Sequence, residues 1–317
     1  MTTQIPDQMQ AQVLEEYNKP YTYKSLPVPK IASEHDILVK VDAASYCHTD
    51  AVMASGQMKP NPRYFPHVGS HEYAGTVVAV ADSPSEAAKA FSIGTRVGVP
   101  GRGYGICGTC FECKNPDEDY PGFSNKCVNG KSNGLSKDGG FAQYSVVDAR
   151  QLTALPDSMS SLDAAPLMCA GVTIYKALKR CKPTPGKRVG IVGCGGGLGH
   201  LGLQFADAMD LRVTGVDAAD GPLKLAKSLN TRATIVDARS SPAEEIVRQI
   251  GKEDKIEDSG NMGLDAVIIL PESQKSFDYG VKLLRDHGVC KSSRCTAKSS
   301  SMPALQSYDS GPMCISI

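Results

Sequence analysis

The sequence predicts an α/β protein built from two domains: a β-rich first half, then a doubly wound parallel sheet. Three observations carry that expectation. Residues 10–100 hold short runs of β-favouring residues separated by Pro, Gly and Ser clusters. From residue 188 the pattern becomes strand, glycine turn, helix, and strands then keep alternating with helices. The chain has 317 residues, room for about two domains at ~150 residues each.

In the first half, residues 10–16, HDILVKVDAAS (35–45), SHEYAGTVVAVA (70–81) and GTRVGVP (94–100) read as strands of a small barrel or sandwich. Behind the second of them stands CHTD, placing Cys47, His48, Thr49 and Asp50 side by side where packing asks for none of them. A Gly- and Cys-rich stretch then brings Cys107, Cys110, Cys113 and Cys127 in the spacing C-x2-C-x2-C-x13-C. No apolar period runs through it, so a metal is expected to organise the lobe, four thiolates closing a tetrahedral structural zinc site. An iron–sulfur cluster uses related spacings, but its usual run brings the fourth Cys after three residues and follows it with Pro, whereas Val128 follows here. Plain buried thiols are the third reading. Within the lobe, NPDEDYPGF is acidic and Pro-rich and reads as a surface loop.

In the second half, RVGIVGCGGGLGHLGLQFADAM (188–209) reads as strand, glycine turn and helix, with Leu198, Leu201, Phe205 and Met209 on one helical face. Gly193, Gly195, Gly196, Gly197 and Gly199 let the backbone turn sharply and approach a pyrophosphate at the helix N-terminus. A second strand ends in Asp217, at about the 20-residue distance where a carboxylate meets an adenosine ribose and repels a 2′-phosphate, which favours NAD over NADP. TRATIVD (231–237) and LDAVIIL (264–270) read as the third and fourth strands.

Lys+Arg and Asp+Glu both number 34, which gives no reason to expect nucleic acid or an acidic membrane surface as a partner. No apolar run reaches the ~18 residues a membrane span needs, and MTTQIPDQMQ lacks a signal-peptide layout, so a cytoplasmic protein is the expectation. Eleven cysteines are many for a compartment where disulfides are rare, and metal ligation is the first explanation.

CHTD (47–50), VGSHEYAG (68–75), CGTCFEC (107–113), DGGFAQY (138–144), APLMCAGVTIYKAL (165–178) and GCGGGLGHLGLQFADAM (193–209) together resemble the zinc-dependent medium-chain alcohol dehydrogenases, in their fungal, yeast-like branch. The resemblance implies a GroES-like β-barrel catalytic domain over 1–165, its structural-zinc lobe at about 101–130, and a Rossmann NAD-binding domain over 166–290. It implies two zinc ions per chain. One is held by Cys47, His71 and Cys169 with a fourth position open to substrate, the other by the four lobe cysteines. Thr49 would hydrogen-bond the substrate oxygen. His48 would face the cofactor pyrophosphate, and Asp50 would accept from the non-ligating nitrogen of His71, with Glu72 close by. The glycine turn with Leu198, together with Asp217 and Lys224, would bind NAD(H), with NADP(H) less favoured. The substrate would be a small alcohol or aldehyde, and family members are homo-oligomers. Taken singly, Cys169 reads as a core thiol, His71 as a hydrogen-bonded strand histidine and His48 as a surface imidazole.

The chain departs from that pattern at five places, one of them the loop NPDEDYPGF before Cys127, which is longer than in the yeast-like pattern. Val52 stands where many members carry a proton-relay histidine. There is no tryptophan to narrow the pocket, and Met53, Met58, Arg102 and Tyr104 are the expected lining, pointing to a substrate larger or more polar than ethanol. Pro222 occupies the ribose-binding lysine position, which leaves Lys224 as the nearby substitute. After residue 290 the match ends. Residues 291–317 are serine-rich without a strand or helix period, so a poorly ordered tail and a sheet short of its last strands are expected. Missing strands would make a catalytically silent zinc- and nucleotide-binding protein the alternative function.

Overall fold

A computed structural model describes residues 4–59, 61–116 and 122–292, and the backbone of 313–316. Part of the acidic loop expected around residue 118 and most of the serine-rich tail therefore lie outside the described residues. The chain divides into two compact units, Met1–Cys169 and Ala170–Ile317.

In the first unit, β1 (Gln8–Leu14), β2 (Thr22–Pro27) and β3 (Asp36–Ala44) lead into helix α1 (His48–Ala54). β4 (His67–Val68), β5 (Glu72–Val80), the short helix α2 (Glu86–Lys89), β6 (Arg96–Pro100) and β7 (Arg102–Tyr104) follow. The cysteine lobe contributes α3 (Phe111–Lys114) and β8 (Lys131–Ser132); β9 (Tyr144–Asp148), β10 (Thr153–Ala154) and α4 (Ser161–Pro166) complete the unit. A five-stranded antiparallel sheet runs β10-β6-β5-β3-β9, and a three-stranded one runs β2-β1-β4. Strand β3 is buried on both faces, and the two-residue period shows which face goes where. Ile37 and Val39 join Tyr73, Val77, Val97, Val99 and Val147, while Leu38 points the other way to Met9, Tyr144 and Val146. This is the small β-rich GroES-like architecture.

In the second unit, α5 (Val172–Arg180), β11 (Arg188–Val192), α6 (Gly197–Ala208), β12 (Arg212–Asp217), α7 (Asp220–Ser228) and β13 (Thr234–Asp237) precede α8 (Ala243–Glu253). β14 (Leu264–Ile269), α9 (Gln274–Lys282), β15 (Leu284–Ser292) and β16 (Met313–Ser316) follow. The six strands form one parallel sheet in the order β13-β12-β11-β14-β15-β16, the Rossmann order with its reversal between β11 and β14.

Two expectations differ from this sheet. It was expected to stop short after residue 290, yet β15 runs to Ser292 and β16 lies parallel beside it, from Val289↔Met313 to Ser292↔Ser316. A four-residue strand is too short to leave a hydrophobic period in a serine-rich sequence. On α6, the fully buried line is Gly199, Gly202, Leu203 and Ala206, with the expected Leu198, Leu201, Phe205 and Met209 packed only partly buried against the same core. Small residues face the sheet because the helix lies close: a Cβ on Gly202 would come 2.8 Å from Ile174 Cγ1 and 3.1 Å from Ile191 Cδ1.

Candidate functional site

Three stretches remote in sequence converge within the first unit. Cys47 caps the start of α1, His71 sits just before β5, and Cys169 lies in a wide π-helical turn, Leu167–Gly171, at the end of α4. One ligand atom from each of the three lies within 4.8 Å of the others, and His71 Nε2 is 3.2 Å from Cys169 Sγ. The fully buried Asp50 holds this arrangement from behind. Its Oδ2 accepts the Cys47 N–H at 2.9 Å, its Oδ1 accepts the Ser70 N–H at 3.2 Å, and the same Oδ1 lies 3.3 Å from His71 Nδ1. With Nδ1 turned to a carboxylate, Nε2 is the nitrogen left to face the sulfurs.

Close backbone packing fixes His71 further. Ser70 has φ of +66°, a left-handed conformation that a non-glycine residue adopts only when its surroundings insist. Its hydroxyl donates to the carbonyls of Ser45 and Glu72, and its own carbonyl accepts the Gly140 N–H at 3.0 Å. A Cβ on Gly139 would fall 2.0 Å from that carbonyl oxygen, and one on Gly101 would fall 2.4 Å from His71 Cβ. Ser70, Gly101 and Gly139 were not singled out from sequence. The available signal was the glycine pair inside DGGFAQY, which had no function attached to it.

The electrostatics follow from this crowding. The hydrogen bond from Cys169, against the opposing effect of burial, takes Cys47 far below the usual thiol range, to about 3, and bonds from His71 and Thr49 add to it. Cys169 moves the opposite way, raised by its bond to Cys47 and by burial. Burial would lower His71, but its bonds to Asp50 and Cys47 outweigh that and raise it to about 9. Without metal the cluster is therefore a thiolate held between an imidazolium and a thiol. Two sulfurs and an imidazole nitrogen around one point suit a zinc ion with one position to spare.

The other expected residues are placed as follows. Thr49 hydrogen-bonds the Cys47 sulfur, Glu72 is buried and adds to the upward push on Cys169, and His48 is exposed on the first turn of α1. Val52 is half-buried one turn on. Of the expected pocket lining, Met53 is fully buried, and Tyr104 turns inward to donate to Asp36 at 3.3 Å, so neither is free to meet a substrate. Met58 is half-buried and Arg102 exposed.

In the lobe, Cys110 Sγ lies 3.5 Å from Cys113 Sγ and 3.8 Å from Cys127 Sγ, and Cys127 Sγ lies 3.5 Å from Cys107 Sγ. A disulfide needs about 2.05 Å. Four sulfurs around one zinc at about 2.3 Å stand roughly 3.8 Å apart. A cluster of several irons holds its cysteines wider than a single ion does, so the spacing suits one ion. Among the described residues the lobe's buried core is Ile106, Phe123, Cys113 and Cys127, a small apolar surface of which the thiols are half.

In the second unit β11 ends at Gly193, with φ of +82°. A Cβ on Gly195 would fall 2.0 Å from the Pro222 carbonyl oxygen and one on Gly199 2.0 Å from that of Gly193, whereas Gly197 faces open space. The first two make the turn tight and the last leaves the start of α6 clear for an anion. Asp217 Oδ2 accepts the Gly195 N–H at 3.0 Å, and its Oδ1 accepts the Ala218 N–H at 2.8 Å, which ties the carboxylate to the glycine turn. Leu198 is partly buried and packs against the core. Lys224 is exposed on α7, beside a hollow of about 490 Å³ that it shares with Asp220, Lys227, Asp237 and Arg239.

Residues 33–157 match the protein family described as the alcohol dehydrogenase GroES-like domain. Alcohol dehydrogenase 1 of Emericella nidulans is 37% identical over 285 residues, covering 90% of this chain and 76% of that protein. An alcohol dehydrogenase of Geobacillus stearothermophilus is 35% identical, covering 89% and 76%. The crystal structure of the alcohol dehydrogenase from Aeropyrum pernix superposes with a TM-score of 0.72 at 29% identity, covering 89% of this chain and 78% of that one.

Proposed function

The chain belongs to the alcohol dehydrogenase family, and from that membership we propose that it interconverts an alcohol and an aldehyde or ketone by hydride transfer with NAD(H), holding a catalytic and a structural zinc. The observation that carries the reading is the convergence of Cys47, His71 and Cys169, with Asp50 behind the imidazole. When bound, zinc would polarise the substrate oxygen and the nicotinamide would carry the hydride.

The chain's own residues prepare that chemistry. Asp50 fixes which nitrogen of His71 is offered, and Thr49, whose hydroxyl lies against Cys47, is placed to hold the substrate's hydroxyl proton. Val52 cannot pass that proton on, so the relay ends in water and turnover lacks a histidine-like inflection near neutral pH. Gly195 and Gly199 allow the tight turn, Gly197 leaves the α6 N-terminus open to a pyrophosphate, and Asp217 disfavours a 2′-phosphate at the ribose. Cys107, Cys110, Cys113 and Cys127 hold the lobe.

The silent-protein alternative rested on a sheet without its last strands. Strands β15 and β16 in that sheet favour the active reading, and turnover separates the two. The reading is tested by following NADH absorbance on the zinc-loaded protein over a panel of aldehydes, with NADPH in parallel. Oxidation of NADH well above that of NADPH with a larger or more polar aldehyde is expected. Zinc and NADH binding without turnover of any aldehyde would overturn it, and ethanol or acetaldehyde proving best would remove the substrate-size component.

A further inference from the structure

We propose that Arg102 is a specificity residue that selects substrates carrying a carboxylate. The proposal deepens the dehydrogenase reading above and rests on it for the reacting centre.

Its basis is where the backbone puts this arginine. Strand β6 pairs with β5 so that Pro100 lies opposite Glu72, next to the metal-binding histidine. The next residue, Gly101, touches His71 closely: a Cβ there would sit 2.4 Å from both the Cβ and the carbonyl oxygen of His71. Arg102 follows directly, so its side chain starts from backbone in contact with the cluster.

Residues 102 and 104 of an ordinary strand share a face. Here Gly103 has φ of +97°, and the pairing of β7 with β8 slips between Arg102 and Tyr104. That break sends Tyr104 inward to Asp36 and leaves Arg102 exposed. Among the described residues no carboxylate forms an ion pair with its guanidinium. An unpaired planar cation beside a centre that binds a carbonyl oxygen suits a substrate with a carboxylate at the far end, which the guanidinium would grip through two parallel hydrogen bonds.

The test compares 4-oxobutanoate with its uncharged isostere 4-methylpentanal on the zinc-loaded full chain, as wild type, Arg102→Lys and Arg102→Gln, with zinc content and circular dichroism confirming that each variant is folded. Wild type is expected to favour the acid by at least about tenfold in kcat/KM, as charge-assisted hydrogen bonds allow. Arg102→Gln should collapse that ratio through the KM for the acid, and Arg102→Lys should keep part of it. Calorimetric titration with glutarate and glutaramide gives a readout that needs no turnover: glutarate binding should weaken about tenfold in Arg102→Gln. A wild-type preference for the neutral aldehyde, a ratio or glutarate affinity that Arg102→Gln leaves unchanged, or an equal loss for both aldehydes would each overturn the proposal. The last would mean that Arg102 acts on the sulfurs' charge rather than on the substrate. If neither aldehyde reacts, the wider aldehyde panel decides the dehydrogenase reading and the glutarate titration alone decides the role of Arg102.

Discussion

Ser70 shows how much backbone is spent on aiming one imidazole. Its left-handed conformation is held by Asp50, Ser45 and Glu72, with Gly139 pressed against its carbonyl. Gly139→Ala would force a methyl group into a 2.0 Å gap, at a cost of about 1–3 kcal/mol for overpacking. The displacement falls on His71, so zinc analysis should show loss of the catalytic ion alone, with the lobe ion retained. Protons compete with metal at the same residue. His71 is raised to about 9, so its proton stabilises the metal-free fold fully below the ordinary value of 6.5, and that contribution disappears as pH rises through 9. Metal, in contrast, must displace that proton and the one on the Cys169 thiol, so its affinity should rise roughly a hundredfold per pH unit up to about 9. The gap in melting temperature between zinc-loaded and metal-free protein should therefore widen from pH 6.5 to 9; a constant gap would refute the assignment. At this scale the sequence was most legible where side-chain chemistry is rare, as in CHTD and the four cysteines. It was least legible where the operative groups are backbone atoms, as at Ser70 and Gly101.

Among the elements, the cysteine lobe has the least of its own to stand on. Its helix α3 spans only Phe111–Lys114, far below the length at which a helix persists alone, and among the described residues two of its four core side chains are themselves thiols. Cys110→Ser should remove the lobe ion and open residues 101–130 to proteolysis, while the Cys47–His71–Cys169 cluster keeps its metal; limited digestion with zinc analysis separates the two. Helix α6 teaches a different lesson. Hydrophobic periodicity found the helix and the face of Leu198, Leu201, Phe205 and Met209 that packs against the core, but a scale that rewards large apolar residues cannot see that the closest helix–sheet contact demands glycine. The Tyr104 expectation failed for a related reason: strand alternation is broken by the conformation of Gly103, which no side-chain pattern reveals.

For the whole molecule, the two-part architecture was readable because each half carries its own period, two residues in the first unit and strand–helix alternation in the second. The end of the sheet was not, since β16 is short and set in a serine-rich context. If β16 is docked as described, β15 is an interior strand. Its amides from Val289 to Ser292 should then exchange with deuterium as slowly as those of Leu264–Ile269; rapid exchange at alternate positions would show β15 to be the edge. Both donor sets, Cys47–His71–Cys169 and the four lobe cysteines, lie within Met1–Cys169. During synthesis every one of these donors is thus made before the dinucleotide half and has emerged before that half is complete. Under the two-zinc reading, a shortage of zinc would be felt as a failure of the first half to mature, whatever the supply of coenzyme.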